Sequence, residues 1–320
     1  MSRIKQPNDW KRMETAMLNQ MVTRGSQEAL LDAFKEISDN FNTITKDNAD
    51  STALLRKNIP SDALFLRKGK CLIISQENYK HNSFSDRDGT QKDVIELDKT
   101  FKRFGCNQPV IQRDIPDATA FKKVLEDFKT DILEQDPKSY DYVVICILSH
   151  GINDKGTEEL VGVTGSRVPT EELLQMINDS KQCPCLAEKP KIFIIQACRG
   201  SRDNSNFSVV PEIEEKLASS SLIKDGKDDH SEKFVSEYCR ESWYFKAYST
   251  PKNYVALRHT FKGSPFVQAF CQTMNDFGDG CYSLEKIMKR TQEDLQRRSP
   301  PQSPEYSTTI PKDLYFTCQV

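Results

Sequence analysis

The sequence lacks any long, uninterrupted apolar segment. Among its 320 residues, no run approaches the roughly 20 apolar residues that a membrane-spanning helix needs. Residues 1–20 also lack the apolar core of a secretory signal peptide, so we expect a cytoplasmic protein without a membrane partner. In that reducing compartment the ten cysteines should be mostly free thiols rather than disulfides.

The sequence is equally poor in features that would favour a nucleic acid, a nucleotide or a metal ion. The formal net charge is -2, which offers no general attraction to nucleic acid. Neither common type of glycine-rich phosphate-binding loop occurs. Cys183-Pro184-Cys185 has no second Cys or His pair at ligand spacing, which argues against a structural metal site.

Two apolar segments of moderate length do occur, and each ends in a reactive side chain. Residues 142–148 lead into Ser149-His150-Gly151, and residues 191–195 lead into Gln196-Ala197-Cys198. Their length and β-branched content predict buried strands of a parallel sheet. Because reactive groups collect at the carboxyl ends of such strands, we expect the imidazole and the thiol to lie close together.

A thiol and an imidazole at one sheet edge favour acyl transfer. Cys198 would attack as a thiolate and His150 would transfer the proton. The backbone N–H groups of Gly151 and Cys198 are candidates to hold the developing oxyanion. Taken singly, a buried cysteine is more often a packed apolar residue, and a lone histidine is often merely hydrogen bonded. The basic Arg199 beside the cysteine favours the catalytic interpretation.

Predicted strands and helices alternate along the rest of the chain, which predicts an α/β fold with a mostly parallel sheet covered by helices on both faces. A helix is predicted over Val94 to Phe104, ending at Gly105. Further helices are predicted to begin at a cap on Asp117, at Pro169, at Ser264 and at a cap on Ser283. Further strands are predicted at residues 70–74, 109–111, 160–163, 243–249 and 314–317.

Two regions do not fit this alternation. Residues 1–60 contain two short amphipathic patterns, too few for an independent helical domain, so we interpret them as a partly helical or disordered extension rather than a partner-docking module. Residues 201–240 are rich in Ser, Asp, Glu and Lys without any sustained period, and we interpret them as a functional or disordered insertion.

Gln196-Ala197-Cys198-Arg199-Gly200, with His150-Gly151 upstream, resembles the caspase family of cysteine endopeptidases. The resemblance covers residues 68–318 and continues through four shorter matches, at residues 85–90, 148–151, 247–250 and 314–316. It implies the three-layer caspase fold and no cofactor. A backbone carbonyl in the Ser85 loop is the candidate group for orienting the histidine.

The resemblance also implies cleavage after aspartate. The family's pocket for that side chain uses two arginines and a glutamine, which correspond to Arg87, Arg258 and Gln196. Each charge-assisted hydrogen bond to a carboxylate contributes about 1.5–3 kcal/mol. Ala256 is expected to give backbone hydrogen bonds to an extended substrate. Leu257 stands where apoptotic relatives commonly carry an aromatic residue, so we expect an altered pocket for the residue before the aspartate.

Caspases are made as zymogens, and the resemblance therefore divides the chain. It implies a prodomain (1–60), a large-subunit part with both catalytic residues (61–225), the rest of the linker (226–240) and a small-subunit part (241–320). Predicted processing sites are Asp225, Asp229 and Asp50.

By the same resemblance we expect an executioner-like, apoptotic enzyme that is active as a dimer of large-small units. Its partners would be protein substrates with exposed aspartate-containing loops, upstream activating caspases and inhibitor proteins. The alternative is a weakly catalytic regulator or adaptor that keeps the fold and binds other caspases.

Overall fold

A computed structural model describes residues 59–179, 183–200 and 243–318. In chain order the strands are β1 (Leu64–Leu66), β2 (Gly69–Ser75), β3 (Val110–Arg113), β4 (Tyr142–Leu148), β5 (Gly151–Asp154), β6 (Thr157–Val161), β7 (Arg167–Pro169), β8 (Lys191–Gln196), β9 (Tyr244–Tyr248), β10 (Glu305–Thr308) and β11 (Leu314–Phe316). The helices are α1 (Thr90–Arg103), α2 (Ala118–Leu133), α3 (Thr170–Asn178), α4 (Pro265–Phe277) and α5 (Leu284–Gln296).

Six of these strands form the central sheet, in the order β10-β9-β8-β4-β2-β3. All neighbours are parallel except β10, which pairs antiparallel with β9. The pairing of β4 with β8 runs to Leu148 opposite Gln196, so both strands end at the same edge of the sheet. The predicted mostly parallel sheet is confirmed.

Helices cover both faces of this sheet because successive side chains of a strand point to opposite faces. On β2, Ile73 packs into the cluster that contains Phe101 of α1 and Phe270 of α4. The neighbouring Leu72 packs into the other cluster, with Phe121 of α2. The chain therefore has the three layers that the sequence predicts.

Two predicted helix starts are confirmed by their hydrogen bonds. The Asp117 carboxylate accepts from the Ala120 N–H at 2.9 Å and caps α2. The Ser283 hydroxyl accepts from the Lys286 N–H at 3.4 Å and caps α5. None of the helices within the described residues combines the length and apolar character needed to cross a bilayer.

The strand predicted at residues 160–163 was placed in the wrong sheet. It lies in β6, which forms a separate antiparallel three-stranded sheet with β5 and β7. Lys155 and Gly156 have φ of 49° and 92°, which is the backbone of a tight hairpin turn and returns the chain antiparallel.

The terminal strand also differs from the expectation of a single sheet. β11 pairs in parallel with β1 in a two-stranded sheet of its own. Neither β1 nor β10 was predicted, because each is only three or four residues long and flanked by polar sequence. The predicted subunit boundaries stay predictions. Asp50, Asp225 and Asp229, with most of the extension and the linker, lie outside the described residues.

Candidate active site

The ends of β4 and β8 bring the His150 and Cys198 turns into direct contact. A Cβ atom added to Gly151 would lie 2.1 Å from the Cys198 carbonyl oxygen, far inside a normal contact. Glycine is therefore required at this position by the approach of the cysteine turn itself.

The His150 ring is held from three sides. Its Nε2 lies 2.8 Å from the Ser85 carbonyl oxygen, which is the orienting group considered from the sequence. Tyr79 packs edge-on at 4.7 Å between ring centroids, and Phe84 lies at 5.5 Å. Because a carbonyl can only accept, the Ser85 contact places the proton on Nε2 and leaves Nδ1 free to accept one.

The pKa of His150 is lowered from its ordinary value. Burial is the largest cause, and the positive charges of Arg87 and Arg258 act in the same direction. The bond to the Ser85 carbonyl opposes them because it favours the protonated ring. The imidazole is therefore neutral at neutral pH, which is the form that can take a proton from a thiol.

Cys198 is half-buried and faces the segment that includes Ala256. The Ala256 N–H points at the sulfur at 3.4 Å, and the Ala256 carbonyl oxygen lies 4.0 Å from it. The segment is fixed on both sides of this contact, because the Arg199 N–H donates to the Tyr254 carbonyl at 2.9 Å and the Leu257 N–H donates to Gln302 at 3.3 Å.

Arg87 is almost fully buried beside this pair. Its Nη1 donates to the Gln76 carbonyl at 2.9 Å and to the Thr90 hydroxyl at 3.0 Å. Burial lowers the pKa of Arg87 to about 10, and repulsion from Arg258 contributes in the same direction. A guanidinium with a pKa that high is still charged at neutral pH.

Arg258 reaches the same region from the other side of the cleft. Its Nη1 donates to the Asp88 carbonyl, and burial lowers its pKa, although the negative charges of Asp88 and Asp93 oppose that shift. Both guanidinium groups interact electrostatically with Cys198. Within the described residues, neither forms an ion pair with a carboxylate. Two buried or half-buried cations therefore stand near the thiol with no carboxylate partner in the described part of the chain.

Gln196 lies beneath the segment that carries Arg258. Its side chain is buried, and Nε2 donates to the Leu257 carbonyl at 3.2 Å. Among the described residues its Oε1 has no hydrogen-bond partner. The amide carries a second N–H, so one donor remains for a ligand after the bond to Leu257.

Sequence reasoning did not find the role of Arg199. Its guanidinium makes a two-point contact with Glu158 on β6, at 3.0 and 2.8 Å, and a third contact with Glu305 on β10 at 3.0 Å. It also lies 4.0 Å over the Tyr248 ring. Arg199 therefore ties the turn that carries the thiol to three strands. Its partners are 41 and 106 residues distant in sequence, which leaves no local signal.

Sequence reasoning also did not single out Asp93. This buried carboxylate accepts from the Ser264 N–H at 2.8 Å, from the Ser264 hydroxyl at 2.6 Å and from Gln268 Nε2 at 2.9 Å. Burial raises its pKa, while these bonds and the charge of Arg87 oppose the rise. Asp93 therefore holds the start of α1 against the hairpin at residues 259–263. Arg87 lies just before this end of α1, and Arg258 just before the hairpin.

Replacing Arg258 should change the titration of His150. Arg258→Gln removes a positive charge that disfavours the imidazolium, so the pKa of His150 should rise. The measurement is an NMR titration of the imidazole in the full chain carrying Cys198→Ala. Arg297→Gln, which neutralises an exposed arginine at the end of α5, is the matched control and should leave the pKa unchanged. An unchanged pKa in Arg258→Gln would contradict the arrangement described here.

Replacing Arg199 should lower the free energy of unfolding. Arg199→Met leaves Glu158 without its cation inside the protein, and breaking a buried pair in this way costs about 3 kcal/mol. Arg167→Met is the control, because Arg167 is half-exposed and lies 3.8 and 3.9 Å from its carboxylate partners. The free energy of unfolding should fall by less than about 1 kcal/mol in Arg167→Met. Urea unfolding measures the free energy of unfolding of both variants. If Arg199→Met and Arg167→Met lose the same amount, Arg199 has no special structural role.

Comparison with known proteins identifies the family of this chain. The profile of the caspase domain family matches residues 68–315. Rat caspase-8 is 26% identical over 326 residues, covering 97% of this chain and 63% of that protein. Human caspase-14 is 29% identical and covers 72% of this chain and 88% of its own length. Chicken caspase-7 is 27% identical, and the match covers 79% of this chain and 78% of chicken caspase-7. The chain spans 63% and 51% of the lengths of the rat and mouse caspase-8 proteins.

A solved structure agrees with the fold. The crystal structure of caspase-1 from Spodoptera frugiperda superposes with a TM-score of 0.59 at 20% sequence identity. The match covers 82% of this chain and 98% of that one. Identity at this level is evidence for the fold alone. With the family profile spanning residues 68–315, the conclusion is that this chain belongs to the caspase family of cysteine proteases.

Proposed function

We propose that this chain is a cysteine endopeptidase that hydrolyses the peptide bond after aspartate. The observation that carries the proposal is the pair of guanidinium groups, Arg87 and Arg258, beside Cys198 without a carboxylate partner in the described part of the chain. Such a site favours one acidic side chain next to a nucleophilic sulfur.

Catalysis starts with the transfer of the Cys198 proton to Nδ1 of His150. The sulfur then attacks the carbonyl carbon, and the negative charge that develops on the oxygen is held by the N–H groups of Gly151 and Cys198. When the tetrahedral intermediate collapses, the imidazolium gives its proton to the leaving amine. Water then hydrolyses the thioester by the same two steps, with the neutral imidazole as base.

Specificity for aspartate follows from the cost of leaving the cations empty. A substrate carboxylate can accept from Arg87, Arg258 and the free amide N–H of Gln196. A neutral side chain would desolvate the same groups without pairing them, so its rejection should be strong. The backbone of Ala256 would bond an extended substrate strand in exchange for the contact between its N–H and the Cys198 sulfur. Leu257 provides an aliphatic wall beside the aspartate pocket.

We extend the proposal to activation. Cleavage in the linker at residues 201–240, at Asp225 or Asp229, would separate a large from a small subunit, and cleavage at Asp50 would release the extension. Curated relatives of this chain bear names such as caspase-7 and cell death protein 3, which supports an apoptotic role with an executioner-like short extension.

The proposed setting is the cytoplasm, and the proposed active form is a dimer of large-small units. Within the described residues β10 is the last strand of the central sheet, and its outer backbone edge, unpaired there, is suited to association with a second copy. The proposed partners are protein substrates with exposed aspartate-containing loops, upstream activating caspases and inhibitor proteins.

Peptide hydrolysis tests the specificity. With purified full chain and fluorogenic peptides that differ only in the residue before the cleaved bond, aspartate should exceed asparagine by about a hundredfold or more in kcat/KM. Asparagine has the same shape and lacks the charge, so it isolates the contribution of the two arginines. Glutamate tests the fit of the longer side chain and should be cleaved more slowly than aspartate.

Two variants make this assay decisive. Cys198→Ala should abolish hydrolysis, whereas Cys281→Ala, at another half-buried cysteine, should retain it. Equal rates for aspartate and asparagine would overturn the specificity, and activity that survives Cys198→Ala would overturn the mechanism. An inactive but folded native chain that binds other caspases would instead support the regulator or adaptor alternative.

Self-processing tests the activation sites. After incubation of the full chain, mass spectrometry should find new amino termini at Gly226 or His230 and at Ser51, and none in the Cys198→Ala variant. Asp225→Glu should remove only the terminus at Gly226. The proposed sites are wrong if the chain is cleaved at other positions while these bonds stay intact.

A further inference from the structure

Cys183 and Cys185 form a second sulfur site, remote from the proposed active centre. They precede β8, whereas Cys198 follows its other end, so six strand residues, roughly 20 Å, lie between the two sites. The two sulfur atoms are 3.6 Å apart. Cys183 is fully buried and Cys185 is half-buried, so one thiol is accessible and the other lies behind it.

A short turn holds the two thiols in this arrangement. Pro184 begins a 3₁₀ turn in which the Leu186 N–H donates to the Cys183 carbonyl at 3.0 Å. The buried Lys191 ammonium donates to the Leu186 carbonyl at 3.0 Å and so fastens the turn to the start of β8. The proline ring fixes one backbone dihedral between the cysteines, which limits how far the sulfurs can separate.

The surroundings of the pair favour thiol chemistry over metal binding. Within the described ranges, no cluster of three or more His, Cys, Asp or Glu side chains could hold a metal ion. Burial and the neighbouring Cys185 raise the pKa of Cys183 to about 12, while the positive charges of Lys129 and Lys191 lower it.

We propose that Cys183 and Cys185 are a reversible oxidation site that forms an intramolecular disulfide by exchange with low-molecular-weight disulfides such as oxidised glutathione. Cys185 reacts first because it is the accessible thiol. Its thiolate attacks one sulfur of the small disulfide, which releases one reduced thiol and leaves a mixed disulfide on Cys185.

The second step closes the ring. The Cys183 thiolate attacks the Cys185 sulfur and expels the second small thiol. In sum, the two protein thiols lose two electrons and two protons, and the small disulfide gains them as two thiols. Bonded sulfurs lie about 2.05 Å apart, so the pair must approach by about 1.5 Å to close the bond.

The test is exchange of the full chain with mixtures of reduced and oxidised glutathione, followed by alkylation, digestion and mass spectrometry. As the oxidised fraction rises, the peptide that spans both cysteines should lose the mass of two hydrogens and both alkylation sites, without gaining glutathione. An excess of dithiothreitol should restore both thiols. Cys281 is the internal control, because it is half-buried and has no cysteine partner among the described residues, so it should gain at most one glutathionyl group.

Two variants separate the roles of the sulfurs. With Cys183→Ser, Cys185 should hold a stable glutathionyl group, since no second thiol can displace it. With Cys185→Ser, a change at a half-buried position, Cys183 should stay reduced. The proposal is overturned if the native chain keeps glutathione on Cys185 beside a free Cys183, or if the pair stays reduced while Cys281 reacts.

Discussion

The parallel pairing of β4 with β8 is the constraint on which the rest of the site depends. Because Leu148 and Gln196 lie opposite each other, the two strands end together, and the next residues of each chain segment meet. Gly151 then packs against the Cys198 carbonyl so closely that no side chain fits. Backbone packing alone therefore places the imidazole and the thiol at one edge of the sheet, without any polar contact of their side chains.

The site is also organised by charge. Burying Arg87 is costly, as its lowered pKa indicates, and the protein offsets the cost with carbonyl and hydroxyl acceptors and with the nearby Asp93. Burial, with a smaller contribution from the same cations, lowers the pKa of His150 and keeps the imidazole neutral. Arg199 differs, because Glu158 and Glu305 neutralise it. One arginine therefore holds the thiol turn, while Arg87 and Arg258 stay available to an anion.

The sequence predicted those parts of the fold whose signals are local. Continuous apolar runs identified β4 and β8, and short polar side chains identified the caps at Asp117 and Ser283. It failed for β1 and β10, because a strand of three or four residues is defined by its partner and that partner is distant in the chain. The strand β11 was predicted, but its pairing with β1 was not. The hairpin of β5 and β6 was missed although Lys155-Gly156 marks its turn.

The candidate site shows the same division. His150 and Cys198 could be placed together from the ends of two strands, and the family resemblance supplied Arg87, Gln196 and Arg258. The bonds of Arg199 and of Asp93 join residues up to 175 positions apart, so only the folded chain reveals them.

The central claim is that one cavity offers a sulfur nucleophile together with two cations for a single carboxylate. The most direct measurement is a crystal structure of the protein inactivated by a peptide aldehyde that ends in aspartate. The account predicts a covalent bond from Cys198 to the aldehyde carbon, with the aspartate carboxylate hydrogen bonded to both Arg87 and Arg258. A carboxylate directed into solvent, or a bond to any other residue, would contradict it.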